Sequence, residues 1–457
     1  MKKIRIGSGS AFWGDMLEPA IELAKTGNVD YIGFDHLAEL TLSILQRMKV
    51  KDPSTGYIQD IKIWMRSILP ITYKNGTKII TNAGGANPEA AAEEVAKIAK
   101  ELGCDGLKIG VVAGDDIFPI LDEISSKGIK LKNLDTGEED IGSVRDKIVA
   151  ANAYTGADEI KKCLEEGADV VICGRVSDNA LYVGPLMHEF GWDFSDKYVD
   201  KLGAAVTIGH IIECSCCVTG GMSNMWKVSK DPWKIGFPIA EVDENGDAVI
   251  TKPEGSGGIV NEWTVKEHLV YEVHDPGNYL MPDGVGDFTS LKIEEIGTNR
   301  VKVSGIKGKP RPETLKVCIG YRDGFIGEGL VMFPWPDAFA KAQWSEKWMR
   351  ERFKLLGLEP DELRIDYIGE NVLHDTIATM PDNDSQPNEA GLRVAARTKT
   401  RAQADMVRRE ASHLWTAGPV GSSFGAPLNP RPIIALWPTL VPREEVKPYY
   451  FIKEVSA

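Results

Sequence analysis

The run KIITNAGGANPEAAAEEVAKIAKEL, residues 78–102, decides how the first half of the chain is read. Residues 78–81 form a short, partly β-branched apolar run, the signature of a buried strand. Asn82-Ala-Gly-Gly-Ala-Asn87 then supplies small residues and turn formers. Pro88 suits a first helical turn, where its missing N–H loses no partner, and the helix is expected to continue to Leu102. Working outward, the same alternation recurs. Residues 4–7 and 31–34 precede as strands, with helices expected at 17–25, 37–48 and 58–69. Residues 107–112 and 169–173 follow as strands, with a helix at 157–166 before the latter. Alternation of this kind predicts an α/β fold whose mostly parallel sheet is covered by helices on both faces. An open sheet and a closed barrel fit the pattern equally.

The second half has a different rhythm. Residues 239–242 and 248–251 flank Glu244-Asn245-Gly246, a hairpin signal because Asn-Gly accepts positive φ. Residues 301–303 and 315–319 read as further strands and 344–356 as a helix, an α+β pattern. The change falls at Gly220-Gly221, which gives an α/β domain over 1–220 and an α+β domain over 221–457. Residues 418–432 are rich in Gly, Ser and Pro and read as a loop.

The composition, 43% hydrophobic and 26% charged over 457 residues, is that of a globular chain. With 53 basic against 67 acidic residues the net charge is −14. Such a chain repels phosphate backbones, so nucleic acid is not an expected partner. The densest basic set, Arg393, Arg397, Lys399 and Arg401, reads as a solvated helix face. No apolar run reaches the roughly 18 residues of a membrane span, and no signal peptide is expected at the N-terminus. Seven cysteines, an odd number, point to a reducing, cytoplasmic compartment.

Four predicted strands run into loops of small and polar residues: Gly7-Ser8-Gly9-Ser10, Asn82 to Asn87, Gly114-Asp115-Asp116, and Gly174-Arg-Val-Ser-Asp178-Asn179. Ligands of parallel sheets bind at the carboxyl ends of the strands. Gly7, Ser8, Gly9, Asn82, Gly84, Gly85 and Arg175 are therefore the candidate substrate-binding residues, with Arg175 as a carboxylate or phosphate clamp. Each has a plainer reading too: glycines and asparagines serve ordinary turns, and an Arg175–Asp178 pair can simply hold its loop. Asp115 and Asp116 read either as a carboxylate pair or as a helix cap. Gly7-Ser-Gly9 followed by Asp35 imitates a dinucleotide fingerprint, but Phe12 stands where the third glycine belongs.

The densest polar constellation is His210-Ile-Ile-Glu213-Cys214-Ser-Cys216-Cys217. On a helix, His210 and Glu213 share a face. They are the candidate acid–base pair, with Asp178 as a third catalytic group. They could equally be a helix end whose histidine caps carbonyls. A divalent metal is the one cofactor the residues suggest, held by His210 and Glu213 with Asp178 or Cys214. No second cysteine pair lies near Cys214, so structural zinc is not expected.

An ordered series of motifs spans nearly the whole chain. It includes Gly7-Ser-Gly-Ser-Ala-Phe-Trp-Gly14-Asp15, Asn82-Ala-Gly-Gly-Ala-Asn-Pro88, Gly174-Arg-Val-Ser-Asp178, His188-Glu-Phe-Gly-Trp192 and Gly209-His-Ile-Ile-Glu-Cys214. Gly236-Phe-Pro-Ile-Ala-Glu-Val242, His274-Asp-Pro276 and Tyr321-Arg-Asp-Gly-Phe325 continue it. The set resembles the acyclic terpene utilisation family. The resemblance implies a cytosolic catabolic protein handling branched acyl or terpenoid acids. It also implies a possible short companion subunit, since some relatives carry an extra module that is not seen after Trp437-Pro-Thr-Leu-Val-Pro442. The expected activity is that of a lyase, chiefly a hydro-lyase, or an isomerase, acting on a small carboxylic acid or acyl-CoA thioester in a homo-oligomer. The alternative is a non-catalytic subunit that binds an acyl ligand or scaffolds a companion.

Overall fold

The computed structural model describes residues 2–379, 387–425 and 428–456. The first-half alternation is realised as β1 (Lys3–Ser10), α1 (Glu18–Thr26), β2 (Tyr31–Phe34), α2 (Thr41–Lys51), α3 (Ile61–Asn75), β3 (Lys78–Thr81), α4 (Pro88–Glu101) and β4 (Lys108–Ala113). After α5 (Leu121–Ser126) come β5 (Ile148–Ala153), α6 (Asp158–Glu165), β6 (Val170–Cys173), α7 (Ala180–Phe190) and α8 (Val199–Glu213). Strands β1, β2, β3, β6 and β4 pair in that spatial order, all parallel. The sheet is open, with ten strands.

Alternate side chains of these strands enter two cores, as the two-residue period of a strand requires. Ile79, Val111, Val170 and Ile172 pack with Leu23, Leu45, Met65, Ile68, Val95 and Ile98 of α1 to α4. Ile80, Val112, Val171 and Cys173 pack with Ile160, Leu181, Leu186, Val206 and Ile211 of α6 to α8. Helices therefore cover both faces, and the predicted α/β architecture is present.

The expected hairpin is β7 (Ile239–Asp243) and β8 (Ala248–Thr251), turning through Gly246 at φ +84. It does not open a separate domain. Strand β7 pairs antiparallel with β1 through Ile6 and Ala240, so it extends the main sheet. The other edge is closed by the C-terminal strand Tyr449–Glu454, antiparallel to β4. The compact units are accordingly residues 1–320 with 436–457, and residues 321–435. The change of rhythm at Gly220-Gly221 marks a switch from parallel to antiparallel pairing inside the first unit, which is why it does not divide the chain there.

The smaller unit is antiparallel α+β. A strand at Glu389–Thr398 lies between the strand Glu362–Ile368 and residues 325–334. Helices Ala338–Leu355 and Arg401–Ala417 pack their apolar sides on Leu392, Val394 and Ala396. Arg393 and Arg397 lie on the strand and not on a helix. Their guanidinium groups pair with Glu328 and Asp366, and with Asp323 and Glu362. Arg393 and Arg397 of the basic set thus form a row of cross-strand ion pairs, while Lys399 lies past the strand and Arg401 opens the next helix. Among the described residues no helix is long and apolar enough to cross a membrane.

Candidate functional site

The parallel strands all deliver polar residues to one edge. Asp35 follows β2, Asn82 follows β3, Asp115 follows β4, and Arg175 and Asp178 follow β6. Helix α8 runs its last residue, Glu213, to the same place. Carboxylate oxygens of Asp35, Asp178 and Glu213 lie within 4.8 Å of one another. Asp35 and Glu213 are buried and Asp178 is half-buried.

Asp35 is held in a fixed orientation. Its Oδ1 accepts from Asn82 Nδ2 at 2.5 Å and from the Leu37 amide at 3.1 Å. Asn82 in turn accepts the His36 amide at 2.8 Å. Burial first, and then the negative charge of Asp178, push the Asp35 carboxyl up to about 8, against the pull of Arg175 and Asn82. Burial, then Asp178 and Asp35, raise the Glu213 carboxyl well above its ordinary range. Three carboxyl groups at this spacing repel one another too strongly for all to be charged in a site of low polarity. Near neutral pH the cluster stores protons.

Arg175 is 1% exposed. Its Nε donates to Val176 O at 2.7 Å, Nη1 to Leu37 O at 2.7 Å, and Nη2 to Asp178. The guanidinium stacks 4.3 Å from the Tyr154 ring centroid. Burial opposes its charge, but Asp178, Tyr154 and Asp35 together hold it above the usual guanidinium value. Three of its five N–H groups are committed to the protein, so in this arrangement it neutralises the carboxylates from behind.

His210 shares the α8 face with Glu213, as its spacing predicts. Its Nδ1 lies 3.9 Å from Glu213 Oε1, beyond hydrogen-bond length. Nε2 lies 3.3 Å from the Leu269 carbonyl, which requires a donor, so Nδ1 is left to accept the Tyr279 hydroxyl at 3.2 Å. Burial, with His268 stacked alongside, lowers the imidazole to about 3. His210 is therefore a neutral ring that orients Tyr279.

The loop glycines are accounted for by close packing. A Cβ on Gly7 would meet Leu23, one on Gly9 would meet Phe34, and one on Gly84 would lie 2.5 Å from the Cys173 carbonyl. Gly85 takes φ +54, where a Cβ would strike Leu45. Ser8, fully buried, accepts the Tyr182 hydroxyl at 3.1 Å. Asp115 and Asp116 divide their roles. Asp115 is buried, bonded by Asn152 at 2.7 Å and pushed up by burial to about 6. Asp116 caps the Phe118 amide at 3.0 Å. A cavity of about 220 Å³ adjoins the ends of β1 and β2, lined by Gly9, Ser10, Asp15, Phe34, His36 and Trp64 among others.

Asp35 is the residue that site-reading from sequence passes over. It was visible only as the acidic partner of a broken dinucleotide motif, and nothing in its neighbours announces burial beside two other carboxylates.

This geometry defines an α/β protein with an acidic, proton-storing cluster at the carboxyl edge of an open parallel sheet. The family model for acyclic terpene utilisation family protein AtuA matches residues 4–452, and the chain belongs to that family. No curated protein matches. Two crystal structures of S. aureus homoserine dehydrogenase, at pH 7.0 and pH 6.5, align at 9% identity. They cover 92% of this chain and 83% and 84% of theirs, with a TM-score of 0.15, too low to support any argument.

Proposed function

We propose that the chain is a lyase or isomerase, best matched by a hydro-lyase, acting on a small carboxylic acid or acyl-thioester. The observation that carries this reading is the pair of buried, proton-holding carboxyls of Asp35 and Glu213 beside the half-exposed Asp178. Elimination of water needs one group to take a proton from carbon and another to protonate the departing oxygen. Carboxyl groups whose surroundings push their proton affinities apart can divide that work. In this reading Asp35 and Glu213 carry protons and Asp178 faces the substrate. Arg175 balances the charge, Tyr279 is aimed by His210, and the cavity beside Phe34 and Trp64 takes the apolar part of the substrate.

Three carboxylate oxygens are also a hard donor set of the kind that holds Mg²⁺ or Mn²⁺. A divalent ion would relieve the same repulsion that protons relieve. Elemental analysis of protein purified without chelator distinguishes the two states.

The test offers purified protein a panel of unsaturated and hydroxy acids, free and as thioesters, with and without divalent metal. Turnover is expected, with Asp35→Asn and Glu213→Gln each about 100-fold slower or worse. A smaller loss is expected for His210→Ala. Silence across the panel, or full activity in both carboxyl variants, would refute the proposal.

A further inference from the structure

Helix α8 is followed by Cys214-Ser215-Cys216-Cys217, and the chain turns sharply there. The Cys217 amide donates to the Cys214 carbonyl at 3.2 Å. Ser215 between them takes φ +51, a left-handed conformation that a β-carbon resists, and its buried hydroxyl has no partner. A turn closed by that bond keeps the Cα atoms of its first and last residues within about 7 Å. A disulfide spans roughly 4.4–6.8 Å between Cα atoms. The Cys214 thiol perturbs the proton affinities of both Cys217 and the Glu213 carboxyl, so it lies close to each. Cys214, Cys216 and Cys217 are all half-buried, whereas Cys104, Cys163, Cys173 and Cys318 are buried.

We propose that Cys214 and Cys217 form a reversible oxidation site, closed to a disulfide by exchange with a low-molecular-weight disulfide. The Cys217 thiolate attacks one sulfur of the external disulfide. A Cys217–sulfur bond forms, the external S–S bond breaks, and the first small thiol leaves with a proton. Cys214 then attacks the Cys217 sulfur, gives up its own proton, and expels the second small thiol. The protein loses two electrons and two protons, and the external disulfide gains them. The neighbouring Cys214 thiol holds Cys217 below the ordinary thiol range, which suits it to the first attack.

Closure has a local consequence. Cys214 loses its S–H, so the Glu213 carboxyl loses a polar neighbour that bears on its proton affinity. On the reading of Glu213 as a proton carrier, oxidation of the dithiol therefore reports directly to the catalytic cluster.

The experiment treats the full chain with oxidised glutathione, blocks remaining thiols with an alkylating reagent, and maps disulfides by peptide mass spectrometry. The expected result is a Cys214–Cys217 cross-link that dithiothreitol reverses, also formed in Cys216→Ser. In Cys214→Ser the reaction is expected to stop at a glutathione mixed disulfide on Cys217. Pairing through Cys216 in the native chain, or no loss of labelling at Cys214 and Cys217, would overturn the proposal. Turnover measured before and after closure separates the two ideas. A chain that forms the cross-link yet converts no substrate in either state refutes the proposed function and leaves the oxidation site standing.

Discussion

Asp35 carries the clearest consequence at the scale of a single residue. Its carboxyl rises from 3.8 to about 8 on folding. Between those values the folded chain binds a proton that the unfolded chain releases. Stability from this group is therefore complete below about pH 4 and is lost as the pH rises towards 8. Glu213 acts in the same direction. Asp35→Asn keeps an oxygen for the Asn82 and Leu37 donors but removes the titration. Thermal melts from pH 5 to pH 8.5 should show the variant gaining on the native chain as the pH increases. The gain should be on the order of a few kcal/mol at the alkaline end. Parallel curves would show that the carboxyl is not held protonated. Little of this was legible in sequence. His210, Glu213, Arg175 and Asp178 stand out by type and spacing, but Asp35 becomes a site residue only because β2 ends beside β3, which in turn pairs with β6.

At the scale of elements, the strand-end loops are governed by how closely helices approach the sheet. Gly84 begins the turn from β3 into α4, and its missing Cβ lets Pro88 and the end of β6 draw in. Gly84→Ala would force that Cβ to 2.5 Å from the Cys173 carbonyl and 2.7 Å from Pro88 Cβ. Neither neighbour is a flexible side chain. A loss of about 1–3 kcal/mol is expected, read as a lower urea midpoint. An unchanged midpoint with abolished turnover would instead make Gly84 a substrate contact. The helix and strand positions themselves were legible, because apolar periodicity and Pro88 mark them locally. The central strand of the smaller sheet, which carries Arg393 and Arg397, was not. Its basic residues fall at spacings that suit a helix face, and only cross-strand partners such as Glu328 reveal the strand.

The whole molecule depends on a long return of the chain. The strand Tyr449–Glu454 pairs with β4 along its length, from Tyr449 with Ala113 to Glu454 with Lys108. Lys453 and Glu93 add an ion pair on the same edge. Removing residues 448–457 would leave β4, which carries Ile109, Val111 and Val112, as a bare edge. Concentration-dependent aggregation and a lowered unfolding temperature are the expected outcomes, measurable by light scattering and calorimetry. A monodisperse truncated chain of native stability would show that this edge is protected in another way.

The sequence by itself determined the βα rhythm of residues 1–213, the hairpin at Asn245-Gly246 and the family to which the chain belongs. These rest on local signals: periodicity, turn chemistry and ordered motifs. The tertiary structure alone decided that the sheet is open, that β7 and the C-terminal strand complete it, and that the chain divides after Gly320. It also decided that Asp35 joins Asp178 and Glu213 while His210 turns to Tyr279. Each of these depends on which distant segments lie side by side. Strand pairing and carboxyl repulsion act through space, and local sequence order does not encode that proximity.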